Sequence, residues 1–159
     1  MIPFRTVLGV LHEQEVACVI VGGVAAILHG SARVTFDLDL VYDRSFANLE
    51  RIVQALAPFK PYLRGAPAGL PFSFDVLTLK QGSNFTLTTS EGPIDLLGQL
   101  TGVGDYGEVR AHAVEATLFG STHQFLDLET LITSKRAAGR PKDLEVIAEL
   151  ESIRAERGR

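Results

Sequence analysis

The chain has 159 residues, of which 46% are hydrophobic and 21% charged, a balance typical of one globular domain. Its net charge of −4 argues against binding nucleic acid through an overall basic surface, and a single cysteine excludes a disulfide framework. The apolar run at 16–28 is too short to span a membrane, and no signal-peptide pattern opens the sequence. We therefore expect a cytoplasmic protein with no membrane partner.

Hydrophobic periodicity divides the chain into helices and strands. Helical spacing, with caps or prolines at the ends, predicts helices at 4–15, 24–29, 46–56, 106–110, 128–138 and 141–153. Apolar and alternating runs predict strands at 16–21, 36–42, 84–89, 93–97, 112–119 and 122–126. Residues 58–74 show no period and are expected to form an irregular loop. These elements predict an α/β fold in one domain, 1–159, with a frayed tail at 154–159.

Two aspartates, Asp37 and Asp39, lie one residue apart on the predicted strand 36–42. Because strand side chains alternate, both carboxylates share one face. The alternate residues are expected to face the core: Phe36, Leu38, Leu40 and Tyr42. Neighbouring like charges repel, and a hard cation such as Mg²⁺, which takes carboxylate and phosphate oxygens, would relieve this repulsion. The preceding turn, Gly22-Gly23, allows the backbone to approach a phosphate closely.

Two more charged residues occupy positions that the apolar pattern marks as buried. Asp95 lies between apolar neighbours on the second strand of a predicted hairpin, although an ordinary strand-end aspartate would show the same pattern. Lys135 follows the apolar stripe of the helix 128–138, so its ammonium is expected to meet an anion, with Asp37 and Asp39 as the partners. The alternative is a lysine that extends past the edge of the core into solvent.

A basic stretch at 133–142 holds four Lys or Arg residues and no acidic residue. A local basic patch on an acidic protein suits a compact polyanion such as a triphosphate. The alternative is a solvated helix end, where cations are favoured by the helix dipole. Outside these motifs, Cys18 and His29 are expected to be packing residues, and His112 and His123 to be surface residues.

Taken in order, these motifs resemble the signature of nucleotidyltransferases related to DNA polymerase beta. That signature is an apolar residue, two small residues, a spacer, then Asp-apolar-Asp-apolar, which Val21–Gly23 and Asp37–Leu40 match. The whole string from Gly22 to Leu40 is similar to the minimal bacterial branch that includes AbiEii-type nucleotidyltransferase toxins. An apolar-Asp-apolar strand around Asp95 and a C-terminal motif, Lys135–Asp143, extend the resemblance over roughly residues 16–150.

The resemblance implies a nucleotidyltransferase fold, a small mixed β-sheet packed with α-helices. It implies an enzyme dependent on Mg²⁺ or Mn²⁺ that moves a nucleoside monophosphate from an NTP, such as ATP or GTP, to a hydroxyl group. The implied catalytic and metal-binding residues are Asp37, Asp39 and Asp95. The implied nucleotide-binding residues are Gly22, Gly23, Ser31, Arg33, Thr35, Lys135 and Lys142. The acceptor would be tRNA, another RNA or a protein, and an antitoxin is a further possible partner.

Two other hypotheses stay open at this point. The chain could be a non-catalytic nucleotide- or partner-binding module that keeps the fold, or a toxin-antitoxin component whose partner interface is the relevant property. The three carboxylates weigh against the first of these, because a scaffold has no need for clustered charge. The NTP, the acceptor and the oligomeric state are left open by the sequence.

Overall fold

A computed structural model describes residues 2–159, which form seven α-helices and nine β-strands. The helices are α1 Arg5–Glu13, α2 Gly22–Leu28, α3 Phe46–Leu56, α4 Val76–Gln81, α5 Tyr106–Arg110, α6 Leu128–Ala138 and α7 Pro141–Arg157. The strands are β1 Cys18–Val21, β2 Leu38–Tyr42, β3 Tyr62–Leu63, β4 Phe85–Thr88, β5 Ile94–Leu97, β6 Gln99–Leu100, β7 Gly104–Asp105, β8 Ala113–Leu118 and β9 Ser121–Leu126. No helix within residues 2–159 is long and apolar enough to cross a membrane.

Seven strands form one mixed sheet in the order β3-β4-β5-β2-β1-β9-β8. The pairs β2–β5 and β1–β9 are parallel, and the other neighbouring pairs are antiparallel. The predicted α/β class is confirmed, as is the predicted hairpin of β4 and β5. The short pair β6–β7 forms a separate two-stranded sheet.

Strand β2 runs through the middle of this sheet and is covered on both faces. Leu40 and Val41 point in opposite directions, yet they are only 1% and 0% exposed. The sequence of a strand that is covered on both faces is a continuous apolar run. Strand β1 fits this description, and so does β2 except at Asp39. Burying each such side chain stabilises the fold by about 1.5–3 kcal/mol.

Capping residues begin several helices where the sequence predicts. The Ser45 side chain accepts a hydrogen bond from Asn48 N at 3.3 Å, and the Asp127 carboxylate accepts one from Thr130 N at 2.7 Å. Helix α6 consequently starts at the predicted residue and ends at Gly139, whose φ of 64° suits a glycine. The short predicted helix at 106–110 is also confirmed.

Three expectations about local structure are wrong or incomplete, and a fourth, about the C-terminal tail, follows below. Phe36 is 79% exposed, because β2 begins at Leu38 and the alternation of a strand does not reach Phe36. Helix α4 was not predicted, although Asp75 caps it by accepting from Thr78 N at 2.8 Å. The predicted loop 58–74 is irregular apart from the 3₁₀ turn that ends in it and strand β3.

The expected frayed tail is wrong, since α7 continues to Arg157. Arg157 donates to the backbone oxygen of His29 at 3.1 Å, and Arg154 forms an ion pair with Glu129 at 3.1 Å. These contacts fasten the last turns of α7 to α6 and to the end of α2. His29, itself 8% exposed and bonded to the oxygen of Leu126, is the packing residue that we expect.

Candidate functional site

The three predicted carboxylates meet at one end of the central strands. Asp39 on β2 and Asp95 on β5 lie directly opposite each other in the parallel register, and Asp37 immediately precedes β2. Each residue offers a carboxylate oxygen, and these oxygens all lie within 4.8 Å of one another. The strand pairing therefore assembles a cluster that we call the carboxylate centre, Asp37, Asp39 and Asp95.

Asp39 is the most constrained member of the carboxylate centre. Its Oδ1 is inaccessible to solvent and has no hydrogen-bond partner. Burial first, and then the negative charges of Asp37 and Asp95, together raise the pKa of Asp39 to about 7, and the charge of Lys135 opposes this rise. An ionised carboxylate in this setting lacks a counter-charge, so the oxygen-only donor set fits a hard divalent cation.

The two glycines at the start of α2 allow the helix to begin against the carboxylate centre. Gly22 has a φ of 64°, and a Cβ atom on it would overlap Asp39 Oδ2. A Cβ atom on Gly23 would lie 2.5 Å from Thr35 Oγ1. The glycines therefore form the first turn of α2 rather than a separate turn before it, and they permit close approach to two residues of the site.

The segment between α2 and β2 holds Asp37 in place and is tied to α7. Thr35 Oγ1 donates to the backbone oxygen of Asp37 at 3.2 Å. Arg33 lies 3.6 Å from the carboxylate of Glu149, to which Ser31 Oγ donates at 2.6 Å. The Ser31 hydroxyl is thus directed to α7, and Ser31 lies outside the cleft that the three aspartates line.

That cleft has a volume of about 440 Å³ and contains most of the predicted nucleotide-binding residues. Its walls include Gly23, Arg33, Thr35, Lys135, Arg140 and Lys142 together with the three aspartates. Gly22 lines an adjoining cleft of about 270 Å³ that also contains Asp39, Asp95 and Lys135. We call these two together the charged cleft. The structure thus brings the predicted site residues together, although Ser31 lines only an adjoining pocket, which it shares with Gly23, Arg33, Thr35 and Lys135.

Lys135 reaches the charged cleft but pairs with a different acid from the one predicted. Its Nζ lies 3.6 Å from Asp143 Oδ1, and Arg140 Nε lies 2.8 Å from Asp143 Oδ2. Asp143 is 1% exposed, and the hydrogen bond from Arg140 holds its pKa below the usual range. The expectation that Lys135 pairs with Asp37 and Asp39 is wrong, because Asp143 at the start of α7 lies closer.

Sequence reasoning did not select Arg140 or Asp143, although both lie in the C-terminal motif, and it missed Arg64 altogether. Its Nη2 donates to Asp95 Oδ1 at 2.6 Å and to the backbone oxygen of Leu87 at 2.8 Å. Arg64 follows the two-residue strand β3 inside the segment that shows no period. Neither a motif nor a period marks such an arginine, so the sequence holds no signal that could have identified it.

Comparison with known proteins names no family for this chain. No protein-family model matches it, and no curated protein matches it at a significant level. The fold and the site therefore define its class by themselves: an α/β domain in which three clustered carboxylates share a cleft with four basic side chains, which we call the basic wall, Arg33, Lys135, Arg140 and Lys142.

Proposed function

We propose that the chain is a nucleotidyltransferase of the DNA polymerase beta-like superfamily, with the fold of that superfamily and a dependence on Mg²⁺ or Mn²⁺. The observation that carries this proposal is the carboxylate centre, in which a buried oxygen of Asp39 has no partner. A protein keeps such a cluster at a cost in stability unless a cation compensates it. The resemblance of the motifs to the superfamily selects the reaction.

In this proposal Asp37, Asp39 and Asp95 hold the divalent cation through their oxygens. A cation bound there stabilises the charge on the attacking and leaving oxygens of an in-line displacement at phosphorus. Thr35 orients Asp37 through the bond to its backbone oxygen, and the glycines of α2 let the chain approach Asp39. Each of these residues positions a carboxylate before the substrates bind, which lowers the cost of reorganisation.

The basic wall binds the triphosphate. Lys135 and Arg140 both contact Asp143 and both line the charged cleft, so their positive charges face it. Lys142 and Arg33 line the same cleft. Charge-assisted bonds from these groups to phosphate oxygens would hold the NTP with its α-phosphorus near the carboxylate centre.

Asp95 accepts the proton of the acceptor hydroxyl. The acceptor oxygen then forms a bond to the α-phosphorus, and the bond from that phosphorus to the β-phosphate oxygen breaks, so pyrophosphate leaves. A carboxylate that accepts the proton of the attacking hydroxyl typically raises the rate of such a step by about 10²–10⁴-fold, which is the usual scale of general base catalysis. The acceptor would be tRNA, another RNA or a protein, and a role in a toxin-antitoxin pair would add an antitoxin as a partner.

Labelled nucleotides test the proposal directly. The protein is incubated with each α-³²P-labelled NTP, Mg²⁺ or Mn²⁺, and either total RNA or a cell protein extract. We expect label on RNA or protein with release of pyrophosphate, and no labelling in EDTA or with the Asp39→Asn variant. A γ-³²P-labelled NTP is the matched control, because its label should leave with pyrophosphate.

The same experiment, together with a measurement of NTP binding, distinguishes an enzyme from the alternative of a non-catalytic binding module. If wild-type protein binds NTP with Mg²⁺ but labels no acceptor and releases no pyrophosphate, the chain is a nucleotide-binding module with this fold. If it neither binds nucleotide nor transfers it, the proposal is wrong in both parts.

A further inference from the structure

Arg64 reaches the carboxylate centre from two strands away. The backbone N of Arg64 donates to the oxygen of Thr86 at 2.9 Å, and Thr86 lies opposite Asp95 in the pairing of β4 and β5. Neighbouring strands are about 4.8 Å apart, so the extended arginine side chain crosses β4 to reach β5. Arg64, Thr86, Asp95 and Asp39 therefore lie in one row across the sheet.

The contact between Arg64 and Asp95 is made by one nitrogen and one oxygen. Nη2 donates to Oδ1 at 2.6 Å, in a pair whose side chains are 32% and 16% exposed. Arg64 Nε is inaccessible to solvent and has no hydrogen-bond partner. The guanidinium therefore does not make the two-bond contact that arginine frequently makes with a carboxylate, and its Nη2 is shared between Asp95 and the backbone oxygen of Leu87.

A purely structural role for Arg64 would be to fasten the irregular segment after β3. That segment has its own attachments, since the Tyr62 hydroxyl donates to the oxygens of Pro67 at 2.8 Å and Leu70 at 3.1 Å. The ring of Tyr62 also packs edge-on against Phe72, with centroids 6.1 Å apart. The segment therefore does not need the charge of Arg64, whereas the carboxylate centre does.

We propose that Arg64 is the resident counter-cation of the carboxylate centre, and that it lowers the affinity of that centre for divalent cations. The proposal rests on the metal-binding part of the proposed function. Without a cation, the guanidinium compensates the charge of Asp95. When a cation binds, two positive groups share one carboxylate, and Arg64 must yield part of its contact.

The sign of the effect separates this role from simple orientation of Asp95. A residue that only orients a metal ligand strengthens metal binding, and its removal typically costs affinity. A positive charge a few ångströms from the cation weakens binding, and in a half-buried site this repulsion exceeds the entropy of fixing one aspartate rotamer. Removal of the charge should therefore tighten cation binding.

Mn²⁺ titration by calorimetry, at one pH and low ionic strength and without nucleotide, tests the inference. We expect Arg64→Gln to bind Mn²⁺ about tenfold or more tightly than wild type, since the variant lacks the repelling charge. Arg64→Lys keeps the charge and should stay within about threefold of wild type. Arg51→Gln removes the same charge from an exposed position on α3 and should change affinity less than about twofold, because solvent screens it.

Thermal melting confirms that each variant is folded before titration, and Arg64→Met is the second neutral variant should the glutamine variant fail to fold. Weaker or unchanged Mn²⁺ binding by the neutral variant, with wild type binding normally, overturns the role of Arg64 and leaves the proposed function intact. Absence of Mn²⁺ binding in wild type and all variants overturns the metal site itself.

Discussion

The charged cleft and a second cleft both contain residues that are able to do chemistry, and they differ in how their polar groups are satisfied. The charged cleft holds three carboxylates within 4.8 Å of one another. The second, which we call the histidine cleft, has a volume of about 220 Å³ and is lined by His12, His123, Cys18, Glu15, Thr122 and Gln124 among others. Histidine, cysteine and glutamate together would suggest a nucleophile or a metal site on residue type alone.

The two histidines of the histidine cleft already have partners. His12 Nδ1 lies 3.2 Å from the Thr122 oxygen, and His123 Nε2 lies 2.8 Å from Ser121 Oγ. His123 is 8% exposed, so the expectation of a surface residue is wrong; its ring packs edge-on against His12. Cys18 is half-buried, and burial raises the pKa of its thiol to about 12, which favours the protonated form.

The difference shows that unsatisfied charge marks a site better than residue type does. Gln124 Oε1 in the histidine cleft also lacks a partner, but it is neutral and costs little compared with a carboxylate. Asp39 combines a buried oxygen without a partner with two neighbouring negative charges. The comparison therefore predicts that only the charged cleft responds to nucleotide and to divalent cations.

The largest effect should come from Asp95→Asn. This change keeps the shape of the side chain but removes the proton acceptor, so turnover should fall by about 10² or more while NTP affinity stays within roughly tenfold. Rapid-mixing kinetics with labelled NTP measures both quantities. Equal losses in affinity and turnover would mean that Asp95 serves binding alone.

The second effect is a pH dependence of stability in the cation-free protein. The folded pKa of Asp39, about 7, lies above its ordinary value of 3.8, so the folded state holds a proton that the unfolded chain releases. Stability from this group is complete below about pH 4 and is lost as pH rises through about 7, by on the order of 4 kcal/mol.

Urea unfolding in EDTA, compared between wild type and Asp39→Asn, isolates this group from the histidines and other acids. The stability of wild type relative to the variant should fall from pH 4 to pH 8, and Mn²⁺ should restore it at the upper end. A difference that does not change with pH would show that Asp39 titrates normally and that the charged cleft is better solvated than its geometry indicates.

A smaller effect should follow from Lys135→Met, which keeps the packing of the stem and removes the charge. NTP affinity should weaken by about 1.5–3 kcal/mol, the scale of a charge-assisted hydrogen bond. Lys60→Met, at an exposed position outside the charged cleft, is the matched control and should bind NTP as wild type does. Were Lys135→Met also to bind normally, the phosphate role would pass to Arg140 or Lys142.

The smallest effect is expected in the histidine cleft. Cys18→Ala should leave turnover within about twofold of wild type, since a thiol held protonated cannot act as a nucleophile. Iodoacetamide should label Cys18 in urea far faster than in the folded protein. Fast labelling of the folded chain, or a large loss of turnover in the alanine variant, would make the histidine cleft a second functional site.

The sequence by itself determined the features that neighbouring residues encode. Periodicity and caps placed α3, α5 and α6 within a residue of their observed ends, since helix formation depends on contacts three and four residues apart. Asp37, Asp39 and Asp95 could be selected from the sequence because each is an acidic residue between apolar neighbours. The parallel pairing of β2 and β5 then brings Asp39 and Asp95 side by side.

Only the tertiary structure decided which charges meet. Arg64 pairs with Asp95 across β4, Lys135 pairs with Asp143 instead of the carboxylate centre, and Ser31 turns to Glu149 on α7. The last turns of α7 are likewise held by distant partners, not by their own apolar pattern. Coulomb energies depend on distances between strands and helices that are remote along the chain, and no local period encodes those distances.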